Sequence, residues 1–121
     1  MLYNSEEFPS LLLSEEVHAT IHMDTRIQRN PKLLRKIFRA LGDLDNFGTD
    51  PDYHPKGNLE NLGGGWWSLR IRYQKDYWRI MFRKATSNKY GLSIMYLKKD
   101  NKIPKLKLNA ANRVAKREGW L

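Results

Sequence analysis

The run from Trp66 to Lys99 limits most strongly what this chain can fold into. It reads WWSLRIRYQKDYWRIMFRK, a polar gap ATSNK, then YGLSIMYLKK. Three segments rich in aromatic and branched residues, separated by polar turn-like clusters, predict an antiparallel meander. In the first segment Trp67, Leu69, Ile71 and Tyr73 alternate with Trp66, Ser68, Arg70 and Arg72. Period two puts these sets on opposite faces of a strand. In the second, Trp78, Ile80 and Phe82 alternate with Tyr77, Arg79, Met81 and Arg83. A hairpin at Gln74-Lys75-Asp76 of suitable register brings Arg79 onto the face of Arg70 and Arg72. The third segment ends in Lys98-Lys99, where long side chains can reach back over the sheet. The expectation is one apolar face to build on and one arginine-bearing face suited to a polyanion.

Charge points the same way. Residues 1–60 hold seven Lys/Arg against ten Asp/Glu, and residues 61–121 hold fifteen against three, within a net charge of +9. A basic half with interleaved aromatics fits nucleic acid or another polyanion, and also fits a solvated lysine-rich surface. A length of 121 residues predicts one domain, residues 1–121, with a modest core. Without cysteine there is no disulfide and no thiolate metal site, which fits a reducing compartment. Apolar runs such as Leu11-Leu12-Leu13 are too short to cross a bilayer, and Glu6 and Glu7 argue against a secretory signal. The expectation is a cytoplasmic protein with no membrane partner.

Ahead of the meander, Ser14 with Glu15 and Glu16 predicts a helix start. Val17, Ile21 and Ile27 carry a weak stripe through Arg29. His18 and His22 share a helix face, but HExxH is absent and they read as ordinary surface histidines, with no metal or other cofactor. Asn30-Pro31 predicts a second helix start, followed by the amphipathic stripe Leu33, Leu34, Ile37, Phe38, Leu41 and Leu44. Gly42 either ends that helix or is tolerated near its end. Residues 46–65 are dominated by Gly, Pro, Asn and Asp and predict a connector without regular structure. Gly63-Gly64-Gly65 lacks the continuation of a phosphate-cradling loop and reads as a flexible lead-in to the sheet. Residues 1–13 are hard to read, with Met1-Leu2-Tyr3 a candidate edge strand. A last helix beginning at Pro104 or Lys105 carries the stripe Leu106, Ala110, Ala111 and Val114 amid basic residues.

Taken together, Leu59-Glu60 through Leu62 to the glycines, Trp67-Ser68-Leu69-Arg70-Ile71, Tyr77-Trp78-Arg79-Ile80, Met95-Tyr96-Leu97-Lys98-Lys99, and Pro104 with Ala110-Ala111 form an ordered pattern over roughly residues 31–117. The pattern resembles the RelE/ParE toxin superfamily, and its HigB-like, phage-derived branch most closely. Ser68 stands where those proteins carry Glu, Leu97 where they carry Phe, and Lys107 near their helix acid. The resemblance implies an α+β fold, with N-terminal helices packed on a small twisted antiparallel sheet and a C-terminal helix. It also implies a toxin of a type II toxin-antitoxin system, held by a cognate antitoxin of helix-turn-helix type. RelE- and HigB-like members cut mRNA on the ribosome, whereas ParE-like members poison DNA gyrase.

Attack by an RNA 2′-OH on the adjacent phosphate requires removal of a proton, positive charge around the phosphate, and a proton for the leaving oxygen. No histidine follows His54, so the basic half offers Lys, Arg and Tyr. Arg70 and Arg79 are the candidate phosphate clamp, since arginine pairs bidentately with phosphate oxygens. Lys98 or Lys99 is the candidate proton acceptor, with Lys84 in reserve. Arg72, Arg83 and Lys102 are candidate RNA contacts, and Tyr73, Tyr77 or Tyr96 can stack on a base. Core packing is the favoured role for Tyr96 and Trp78. Three classes stay open: a ribosome-dependent mRNA endonuclease, a gyrase-binding toxin, and a non-catalytic relative that binds nucleic acid or antitoxin. The lysine pair favours the first.

Overall fold

A computed structural model of the chain describes residues 3–4, 7–98 and 105–121. Its elements in order are β1 (Tyr3–Asn4), β2 (Leu11–Leu13), α1 (Glu15–Met23), α2 (Thr25–Gln28), α3 (Pro31–Phe47), a 3₁₀ turn (Pro51–Tyr53), β3 (Leu59–Gly63), β4 (Trp66–Tyr73), β5 (Asp76–Thr86), β6 (Lys89–Lys98) and α4 (Lys105–Arg117). The fold is α+β, as expected. Six strands form one sheet in the order β1-β2-β6-β5-β4-β3. Neighbours are antiparallel except β2 and β6, which run parallel and make the sheet mixed. Among the described residues, no helix is long and apolar enough to cross a membrane.

The predicted meander is β4-β5-β6. Its first turn is tight, with Tyr73 paired to Asp76 and Gln74 at φ 55. One face of the sheet packs under the first three helices, where Val17, Ile21, Ile27, Leu33, Ile37, Leu41 and Leu44 meet Leu69, Ile71, Trp78, Ile80, Phe82 and Leu92. The opposite face was expected to be basic. It bears the expected arginines and also a second, smaller core, in which Ala111, Val114, Ala115 and Trp120 cover Trp66, Met81, Ile94 and Tyr96. With both faces covered, β5 is buried without interruption from Trp78 to Phe82.

Ser14 caps α1, accepting the Val17 N–H at 3.1 Å, while its hydroxyl donates to the Ser93 carbonyl at 2.7 Å. The single helix expected through Arg29 is corrected. Asp24 is extended (φ −72, ψ 119) and its carboxylate accepts the Arg26 N–H at 2.9 Å, ending α1 and capping α2. Val17, Ile21 and Ile27 do not share one straight helical stripe, and the break lets all three be buried. Asn30 caps α3 through the Leu33 N–H, and Gly42 is tolerated inside a helix that runs on to Phe47. The connector is also corrected, since it holds the 3₁₀ turn and β3. Gly63, Gly64 and Gly65 all take positive φ and form the β3–β4 turn. The Leu106 expectation fails: it is 79% exposed in the first turn of α4, and the buried stripe is Ala111, Val114 and Ala115.

Two features lock α4 onto the sheet. Between Met81 and Phe82 the β5–β6 register slips so that Ser93 is extra, and its hydroxyl donates to the Ala111 carbonyl at 2.7 Å. Beyond α4, Trp120 lies flat on Gly91, where a Cβ would come within 2.4 Å of the indole. Gly91→Ala is therefore expected to destabilise the fold by about 1–3 kcal/mol, measured by urea or thermal unfolding. At its C-terminal end α4 is tied to α1 by Arg117, which donates to both Glu16 oxygens at 2.7 and 3.0 Å. That bond, more than the opposing effect of burial, holds the Glu16 carboxyl below its usual range. A depressed carboxylate contributes stability above its unfolded pKa and loses it as pH falls through the folded value. The pair is half-exposed, so Glu16→Gln should cost about 0.2–1 kcal/mol at neutral pH. Unfolding curves of the two proteins should converge on acidification.

Candidate functional site

The tight β4–β5 turn sets a register in which Arg70 lies directly opposite Arg79, and Arg72 opposite Tyr77. On the other side of β5, Tyr77 faces Lys98 and Arg79 faces Tyr96. Cross-strand partners share a face, so Arg70, Arg72, Tyr77, Arg79 and Lys98 form one patch beside the part of the sheet covered by α4. Tyr77 is its aromatic floor, with the Arg70 and Arg72 guanidinium carbons 5.3 and 5.5 Å from the ring centroid. Arg72 is exposed and Arg70 half-buried, whereas Arg79 is only 3% exposed and Lys98 8%.

Burying a guanidinium is costly unless it is paired. Arg79 is paired across two strands, its Nη1 donating to Glu60 Oε2 on β3 at 3.0 Å. Ser68, small enough to leave room on the intervening strand, offers its hydroxyl to the same nitrogen at 3.4 Å. The pairing is incomplete. Among the described residues the Nε groups of Arg70 and Arg79 are buried without a hydrogen-bond partner, although like charges already face each other across the ladder. Arg70, half-buried and facing a second arginine, offers guanidinium donors that a phosphate or another oxyanion can pair bidentately.

Not all the candidate residues join this patch. Tyr73 lies on the opposite face and packs against the core under the helices. Lys84 also falls on that face, two residues beyond Phe82 and paired with Tyr90, because a strand alternates strictly. Tyr96 is on the arginine face but packed into the small core, with Lys107 5.1 Å from its ring centroid. Trp78 is in the main core beneath Arg26. Arg83 shares the arginine face but sits beyond Met81, over the Trp66 ring at 5.1 Å. Lys99 and Lys102 lie outside the described residues. The His18 and His22 rings are tilted 38° to each other with centroids 4.3 Å apart, and burial followed by the neighbouring ring lowers the His18 pKa. Among the described residues no three His, Asp or Glu side chains gather to hold a metal ion.

Glu60 and Ser68 are the residues that reading the strands in isolation leaves out of the site. A glycine-rich turn directly before a strand is a hairpin signal, and that signal makes residues 59–62 the partner of β4.

The patch can grip an oxyanion with two arginines, hold an aromatic ring against Tyr77, and offer one carboxylate and one ammonium for proton transfer. A model of the family described as phage derived protein Gp49-like (DUF891) matches residues 27–116, from α2 to the end of α4. No curated protein matches the chain. With most of its length matched, the chain belongs to the phage-derived Gp49-like family, a family associated with RelE/HigB-type toxins.

Proposed function

We propose that this protein is the toxin of a type II toxin-antitoxin pair. It acts in the cytoplasm as a ribosome-dependent mRNA endonuclease of RelE/HigB type, and a helix-turn-helix antitoxin holds it in check. The observation that carries the reading is the convergence of Arg70, Arg79 and Lys98 on one face.

In this reading the scissile phosphate shares Arg79 with Glu60 and is also held by Arg70. Arg70 and Arg79 neutralise charge that builds on the non-bridging oxygens as phosphorus becomes five-coordinate. The 2′-oxygen forms its bond to phosphorus as the bond to the 5′-oxygen breaks, leaving a 2′,3′-cyclic phosphate and a 5′-hydroxyl. The Glu60 carboxylate takes the 2′-OH proton, and the Lys98 ammonium gives one to the departing 5′-oxygen. Lys98 thus serves as acid, where the sequence suggested an acceptor, because Glu60 supplies a carboxylate on the same face. Tyr77 stacks on a neighbouring base and Arg72 contacts the backbone. A site so rich in cations relies on the ribosome to position the message, which is the entropy contribution that a bound and oriented substrate supplies.

In a translating extract, with mRNA 5′ ends mapped after addition of the protein, Arg70→Ala should lower cleavage about 10²–10³-fold. Arg70 is half-buried and has no ion pair among the described residues, so thermal unfolding of the variant should stay close to that of the parent. Intact messages together with gyrase-linked DNA breaks would overturn the nuclease reading. Glu60→Gln should keep a hydrogen bond to Arg79 but cut the single-turnover rate by about 10²-fold or more. A rate unchanged in that variant would remove Glu60 from the proton-transfer role.

A further inference from the structure

Away from the arginine patch, the β3–β4 turn and α4 enclose an open cleft of about 620 Å³. Its walls include Gly64, Trp66 and Arg83 from the sheet and Lys105, Leu108 and Asn112 from α4. The polar groups in it are fixed. Trp66 Nε1 donates to Asn112 Oδ1 at 2.9 Å, which leaves the two N–H donors of the Asn112 amide uncommitted to that bond. The Arg83 guanidinium lies over the Trp66 ring at 5.1 Å and against Gly65, where any Cβ would come within 3.0 Å of Arg83 Nη2. Gly65 takes φ +85, so both its backbone and its lack of a side chain suit this close approach. Arg83 Nε is buried without a hydrogen-bond partner among the described residues.

We propose that this cleft binds one unpaired nucleotide of a single-stranded RNA, its base lying against the Arg83 guanidinium that rests over the Trp66 ring. A planar cation held on an indole is a preorganised partner for a base, and contact of this kind tolerates any sequence. The Asn112 amide can donate to a base carbonyl or ring nitrogen, and Lys105 at the mouth suits the attached phosphate. The proposal rests on the nuclease reading for the identity of the strand. Arg83 is four residues from Arg79 along β5, about 13 Å at the rise of a strand, so the base held here lies a few nucleotides from the scissile bond.

Two-dimensional NMR of the indole N–H resonances, with Trp66 assigned by substitution, tests the cleft directly. Titration with adenosine or uridine 5′-monophosphate should shift the Trp66 signal saturably, and inorganic phosphate should shift it far less. Arg83→Ala should abolish the shift. Arg83→Lys, which keeps the charge but not the plane, should weaken binding about tenfold while leaving the folded spectrum intact. Arg70→Ala should leave the titration unchanged. The proposal falls if neither nucleotide moves the Trp66 resonance, if phosphate alone moves it equally, or if the shift survives in Arg83→Ala. Should the nucleotide bind as described while the extract shows no cleavage, the nuclease reading falls and the cleft remains; should cleavage occur without nucleotide binding, the reverse holds.

Discussion

The buried guanidinium of Arg79 is the group around which the rest of this face is arranged. A cation at that depth needs a carboxylate, and the strand carrying one, β3, reaches it only because three glycines turn the chain back on β4. Ser68 on β4 leaves the path between Arg79 and Glu60 open. The tight turn after Tyr73 then fixes Arg70 opposite Arg79, and β6 brings Lys98 opposite Tyr77. A one-residue slip in any of these pairings would exchange the arginines for the apolar residues of the main core. The hydrophobic pattern that stabilises the sheet therefore also sets the geometry of the basic patch.

The two layers of helices divide this work. The first three cover the face with the larger apolar surface and provide most of the burial. The last covers part of the opposite face, with the arginine patch beside it and the cleft by Trp66 along its edge. The extra residue at Ser93 joins the layers. Its carbonyl accepts from Ser14 at the start of α1, and its hydroxyl donates to Ala111 within α4. Both helices are thus registered against the same point of β6.

Much of this was legible in the chain because strands of eight to eleven residues write their faces in period two. The meander, the α3 stripe and both serine and asparagine caps could be read directly. The same alternation already separated Tyr73 from the arginines. Shorter elements gave no such signal. The strand Leu11–Leu13 shows no alternation, and β3 has Leu59 and Leu62 packed on opposite cores across an irregular register. The break at Asp24 rests on a local carboxylate contact that competes with helix continuation, which periodicity does not register. Glu60 escaped because its role depends on a partner 19 residues away, set by strand pairing and not by neighbouring sequence.

The incomplete neutralisation of the arginine face has a consequence for the protein at rest. A folded state that repels itself locally, and that offers ordered donors the unfolded chain does not assemble, is linked by mass action to whatever polyvalent anion is dissolved around it. Each such ion that docks there draws the folding equilibrium toward the native side. The unliganded molecule is then a state whose melting temperature is set partly by its buffer, rising with sulfate or phosphate beyond what simple ionic screening provides.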